Sequence, residues 1–374
     1  MKFSDINTHK GLILGFAIVL GLLLLTMVSM RSQLIQQSAT NYGEIVSDLP
    51  VPIHPNQTVE LGIFVQNIYR FEAENNTFDS DGWVWVKYSP WLYAQMKKRK
   101  ISAVDLINFI NLVNRYDFTL AQTTNGPLLM PDGRYYERFR YSGHFYVDDL
   151  DFRKFPFQTI SLPLIVQLQS QQLRDDVAPI ELTIDRRDSA IGPFIDISSY
   201  ETIGYELKGL LTHWMSRMGN DLRDGTGVAS EMRMEVRYKK ALNSTFLKLI
   251  LPLLTVMLIT LFSPSIASHG WDVRIGIPPT CILTLIFLQQ SYHEHLPDFQ
   301  YLTFLDGVYN LCFFINITLF GLFLWGANVY HSASGSHKHQ VAELIDRVDF
   351  RFQIGLSMVL ILGTGFDWLV HRYI

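Results

Sequence analysis

Asp272, Gly276, Thr280, Leu283, Phe287, Gln290 and Glu294 follow one another at steps of three or four residues within WDVRIGIPPTCILTLIFLQQSYHEHLP, residues 271–297. Wound as a helix, those steps place all seven on one face. The face begins acidic, turns small and hydroxylic, becomes apolar at its middle and ends amide and acidic. Its apolar heart is long enough to cross a bilayer, whose hydrocarbon core takes about 20 helical residues. Carboxylates facing lipid are costly, so Asp272 and Glu294 belong at the two interfaces or against water. A stripe wet at both ends and apolar between suits ion passage, where rings of charge select and an apolar constriction closes by dewetting. An ordinary buried helix with interfacial acids meets the same pattern. Ile275, Ile277, Ile282, Leu285, Ile286 and Leu288 lie on the other faces and suit lipid or neighbouring helices.

Other reactive side chains offer less. His293, Glu294 and His295 are of metal-binding type. The offset of two puts the histidines on different helical faces, so one chain cannot chelate well, and plain lining of a vestibule is the alternative. A ring of copies would bind metal or titrate between pH 5 and 8. No glycine-rich phosphate loop, nucleophile elbow or zinc-helix motif appears, so no enzyme and no cofactor is expected. Cys281 and Cys312 both fall in apolar runs without metal-ligand neighbours. A net charge of −4 gives no reason to invoke nucleic acid.

The elements that would position the stripe follow from patterning. The 374 residues are 48% hydrophobic, with a mean hydropathy of +0.13, which suits a mixed soluble and membrane protein. Residues 11–30 are an uninterrupted apolar run behind Lys2 and Lys10, so residues 1–30 read as a signal peptide or a retained anchor. The charge placement leaves the N-terminus in the cytoplasm and exports the chain beyond residue 30. Residues 31–58, with three prolines near their end, read as a linker. From Val59 the period becomes two: VELGIFVQNIYRF and WVWVKYS are strands, with ENNTFDSDG a turn-rich connection between them. RYYERFRYSGHFYV, QTISLPLIVQLQ, APIELTID and EMRMEVRYKKA read as further strands, while 101–114, ISAVDLINFINLVN, has helical spacing. Residues 59–245 are therefore expected to form an antiparallel β-sandwich. Residues 246–374 carry four apolar helices, at about 246–265, 275–292, 302–329 and 353–370. A polar loop at 331–351 bears Lys338, Arg347 and Arg351, which places it in the cytoplasm.

Arg274, Gly276, Thr280, Leu283, Thr284 and Leu296-Pro297 make this helix resemble the pore helix of pentameric ligand-gated ion channels, the Cys-loop receptor superfamily. Elsewhere DDLDFRKFPFQTISLPL resembles the signature loop of that family, with Asp151, Phe155, Pro156 and Phe157 in place and the flanking cysteines missing, as in bacterial members. KLILPLL resembles the start of its first bundle helix, with Pro252 as the proline. The likeness covers about residues 59–370, with a gap over 91–130, where the tryptophan-bearing agonist segment is not seen. Pro278 and Pro279 also depart from the pattern, and a helix kinked there, or beginning only there, is expected.

The resemblance implies an extracytoplasmic β-sandwich followed by a four-helix transmembrane bundle, five copies around one pore, in the cell or inner membrane. Leu283 would be the hydrophobic gate, and Asp272 would favour monovalent cations. Signal transfer would run through Glu72, Glu74, Asp151, Phe155, Pro156, Phe157, Lys239, Lys240, Pro297 and Tyr301. Tyr205 and Trp214 would line a site for an agonist, whether small molecule, proton or ion. Arg274 would oppose Asp272 unless its long side chain turns from the axis toward the headgroups, which its stem allows. The alternative is a membrane-anchored sensor or scaffold of the same fold whose pore does not conduct.

Overall fold

A computed structural model describes residues 44–148, 150–169, 180–214, 227–294, 296–297, 301–333, 335 and 337–373. The apolar run 11–30 lies outside the described residues. The chain divides into two units, one formed by 40–151 with 159–241, the other including 152–158 and 242–374.

The first unit is a β-sandwich-like pair of sheets. One sheet has the order β1 (Glu44–Asp48), β11 (Tyr200–Trp214), β12 (Gly227–Lys240), β8 (Thr159–Leu168), β4 (Ile107–Phe109). The other has β10 (Ala190–Phe194), β2 (Thr58–Glu72), β3 (Thr77–Tyr88), β7 (Tyr135–Tyr146), β5 (Thr119–Gln122), with β6 (Leu128–Leu129) on β7 and β9 (Glu181–Ile184) on β2. Period-two patterning supplies the core. Val59, Leu61, Ile63 and Val65 are buried from β2, Leu162, Leu164 and Val166 from β8, and Met232, Met234, Val236 and Tyr238 from β12. At Gly204 the β11–β12 register shifts and φ reaches +148°, a conformation side-chain-bearing residues rarely take.

On the face of the second sheet turned from this core, Lys87 Nζ lies 2.6 Å from Asp185 and 3.1 Å from Glu60. Trp85 Nε1 donates to the same Asp185 carboxylate at 3.1 Å, and the indole packs over Gly62, where no side chain would fit. Burial pushes the Asp185 carboxyl up, but the bonds from Lys87, Trp85 and the Asp188 N–H outweigh it and leave the group below its ordinary range.

Several expected elements take a different form. Residues 101–114 are not helical: a 3₁₀ turn, Ala103–Leu106, leads into β4, because Phe109 packs on the rings of Phe118, Tyr141 and Phe145 while Ile107 pairs with Leu168. The helix, α1, is Pro90–Arg99, capped by the Ser89 hydroxyl and ended by Lys100 in the left-handed region. The turn after β2 spans only 73–76, since β3 begins at Thr77 and pairs back to Glu72. The expected linker contributes β1, hydrogen-bonded to the far half of β11.

The second unit holds four helices long and apolar enough to cross a membrane, and the chain is a membrane protein on that ground. The first is α2 (Leu251–Phe262), prefaced by a short turn, Leu242–Thr245, and a π-helical turn, Phe246–Ile250. Then come α3 (Trp271–His293), α4 (Phe304–Ser332) and α5 (Lys338–Tyr373). α3 runs through Pro278 and Pro279 rather than starting at them; the carbonyls of Arg274 and Ile275 cannot receive their usual helical bond. α5 starts fifteen residues before the expected 353, so the polar loop shrinks to 333–337. Ile345, Asp349 and Leu356 are buried at helical spacing, which carries the helix through the charged stretch while Glu343, Asp346, Arg347 and Arg351 stay exposed.

Candidate functional site

α3 is the element with two unlike faces. Arg274, Pro278, Cys281, Leu285 and Tyr292 are buried against the other helices. Asp272, Gly276, Thr280, Leu283, Phe287, Gln290 and Glu294, the seven residues of the stripe, are all exposed in the single chain, Leu283 at 54% and Phe287 at 63%. Thr280 and Thr284 donate their hydroxyls to the carbonyls one turn back, at 2.9 and 3.0 Å. Those hydroxyls are satisfied within the helix; the carboxylates and the amide on its uncovered side need the interface, water or another chain, because lipid would leave them unsatisfied.

At the start of α3, Arg274 turns to the opposite side from Asp272, as two residues of helix, about 200°, require. It does not run to the headgroups. Its guanidinium is hydrogen-bonded to the carboxylate of Asp349 on α5 and lies 4.6 Å from the ring centroid of Phe323 on α4. Arg274 and Asp349 are both buried. Nothing in the sequence pairs Asp349 with Arg274, and a polar loop is expected where it stands; its place on the Ile345–Leu356 apolar spacing is the available signal.

The other end of α3 is tied down by one carboxylate. Thr303 caps α4 by accepting from the Asp306 N–H at 3.2 Å, and Asp306 accepts in return from the Thr303 N–H at 3.0 Å and hydroxyl at 2.8 Å. The same carboxylate accepts the Tyr292 hydroxyl and lies 2.9 Å from His293 Nε2 and 3.4 Å from Gln289 Nε2. A T-x-x-D pattern before an apolar run is legible as a cap, but its second use, across to α3, is not. On α5, buried Asp367 faces Gly307, where any side chain on α4 would strike the carboxylate.

Five of the expected coupling residues, Phe155, Pro156, Phe157, Pro297 and Tyr301, belong to this unit. The Phe155 ring stacks on Tyr292 at 5.7 Å between centroids, and Phe157 sits edge-on to Trp368 at 5.3 Å. The Phe152 N–H donates to the Tyr301 hydroxyl oxygen at 3.1 Å, and the Phe304 N–H donates to the Arg153 carbonyl at 2.8 Å. Residues 152–158, Pro156 included, are thus fastened to α3, α4 and α5 together. Pro297 follows α3 half-buried.

Glu72, Glu74, Asp151, Lys239 and Lys240 belong to the sandwich unit. There Glu72 accepts from Asn75 Nδ2 at 2.9 Å, Lys239 pairs with Glu201 at 3.1 Å, and Lys240 Nζ lies 5.5 Å over the Tyr200 ring. Asp151 and Glu74 are exposed. Tyr205 donates its hydroxyl to the Ser189 carbonyl at 3.1 Å. The side chain of Trp214 lies outside the described residues, as do residues 215–226, His295, Asp298 and Phe299. Tyr205 and Trp214 stand nine positions apart on β11. No family model matches the chain, and no curated protein does either.

Proposed function

We propose that the chain is a subunit of a homopentameric, cation-selective channel opened by an extracytoplasmic stimulus. One observation carries the reading: the seven residues of the stripe are all uncovered, while the opposite face of α3 is packed against its own bundle. Five copies that turn this stripe inward satisfy its acids and amide with water and leave apolar faces to lipid. Leu283, with Phe287 one turn outward, is then the dry constriction. Asp272 and Glu294 are the two acidic rings, which gather monovalent cations.

The stimulus is a small molecule, a proton or an ion received by the β domain. It reaches α3 through the 152–158 loop, whose Phe155 lies on Tyr292, the residue that Asp306 holds. The likeness of DDLDFRKFPF and of the α3 sequence to the Cys-loop receptors supports the same reading, as does the order of sandwich and four spanning helices. In that arrangement the β domain is extracytoplasmic and the α4–α5 turn lies in the cytoplasm.

Native mass spectrometry of the detergent-purified chain, paired with bilayer recordings across a screen of pH and ligands, tests the proposal. Five chains per particle with stimulus-dependent current is the expected result. A monomer or dimer refutes the pore; silent pentamers point to a non-conducting sensor of the same layout.

A further inference from the structure

We infer that Asp349, 75 residues downstream of the arginine it serves, is a specificity-determining residue of this pore: it cancels the charge of Arg274 and leaves Asp272 to set the potential of the inner mouth. The inference rests on the channel reading of α3. Arg274 stands two residues from Asp272 on the other side of α3, so the field of an unpaired guanidinium would partly offset that carboxylate. A guanidinium is always charged, so its field is removed only by a partner. Asp349 is that partner. The pair is buried between α3, α4 and α5, with the Phe323 ring on the guanidinium, and neither residue has a second ion pair among the described residues.

The groups around it do not share the task. Asp346 is exposed on α5, Arg347 pairs with Glu343 at 3.6 Å, and Arg351 is exposed. Arg274 and Asp349 sum to zero and Asp272 faces the other way, so each chain presents one net negative charge to the axis at this level.

Removing the Asp349 carboxylate uncovers five positive charges beside five negative ones. With screening over a Debye length of about 8 Å, this lowers the sodium-to-chloride permeability ratio roughly five-fold. The experiment uses the full chain in the Leu283→Ser background, which is expected to conduct without agonist. Reversal potentials are read in asymmetric sodium chloride, in phosphatidylcholine bilayers, after native mass spectrometry has confirmed pentamers.

Asp349→Asn should show the five-fold fall. Arg274→Gln with Asp349→Asn, neutral at both positions, should return the ratio to within about two-fold of the parent, and Asp349→Glu should hold it there. A merely structural role would lower yield and leave the ratio alone. An unchanged ratio in Asp349→Asn, or no recovery in the double variant, overturns the assignment. Should Asp349→Asn fail to assemble, the double variant decides: assembly with the parental ratio supports charge cancellation, and failure to assemble overturns it. Pentamers of the parent that pass no ions overturn the channel reading first, and the role of Asp349 with it.

Discussion

Replacing Asp306 by alanine removes the carboxylate that, among the described residues, holds the end of α3 to the start of α4. Its oxygens serve the Thr303 N–H and hydroxyl, the Tyr292 hydroxyl and the His293 and Gln289 side chains, all from a residue only 4% exposed. Half of the reciprocal cap is lost, at about 1 kcal/mol. The Tyr292 hydroxyl, on a residue 3% exposed, is left buried without its acceptor, at about 1–3 kcal/mol. The sum is about 3 kcal/mol. At about 2–4 °C for each kcal/mol, the melting temperature of the detergent-solubilised chain should fall by roughly 10 °C. Tyr292→Phe removes one bond and leaves the carboxylate its other donors, so it should cost only about 1 kcal/mol. Scanning calorimetry of the two variants beside the parent provides the comparison. A loss below about 1 kcal/mol in Asp306→Ala, or equal losses in both variants, would show that the carboxylate does not hold the two helices together.

Three further outcomes are expected. Leu283→Ser should leak at rest, because the hydroxyl wets the constriction; tight closure in bilayer recordings would move the gate toward Pro278 and Pro279. Asp272→Ala should reduce cation preference in asymmetric sodium chloride, and an unchanged reversal potential would assign selection to Glu294. In the sandwich, Asp185 has a folded pKa lowered below its unfolded value, so the stability it contributes is present above about pH 3.9 and is lost as pH falls through the lower folded value. Acid unfolding of the β domain, followed by circular dichroism, should therefore be less steep in Asp185→Asn, which should also be less stable at pH 7. A parallel shift of the whole curve would count against the linkage.

The sandwich strands β2, β7 and β12 are readable from sequence because their core side chains recur at a period of two, while β8 is readable as a continuous apolar run that buries Pro163 and Ile165 on its second face as well. β11 is not, since Gly204, Lys208 and Gly209 interrupt its pattern and its pairing with β12 fixes it instead. Residues 101–114 mislead for a related reason: Leu106, Ile107 and Phe109 are buried on a turn and a short strand, where tertiary packing overrides helical spacing. The stripe on α3 is legible because spacing along one helix is a local property. The partners of α3 are not. Asp349 and Asp306 act across helices, and periodicity within one segment carries no trace of which neighbour it meets. The prolines do not mark the start of the helix, which accepts them eight and nine residues into its length.

The loop at 152–158 has a consequence for anyone who would take the molecule apart. The chain passes between its two units at 151/152, at 158/159 and again at 241/242, so the contiguous piece 242–374 is not the whole helical unit. Cut at 241, that piece would carry Tyr292, Tyr301 and Trp368 without the aromatic and backbone groups that cover them. A hybrid that exchanges helices with another protein must carry those seven residues along as cargo, spliced into a foreign sandwich at two points. Modularity here is three-dimensional, and the natural seam for recombination does not coincide with any single position in the sequence.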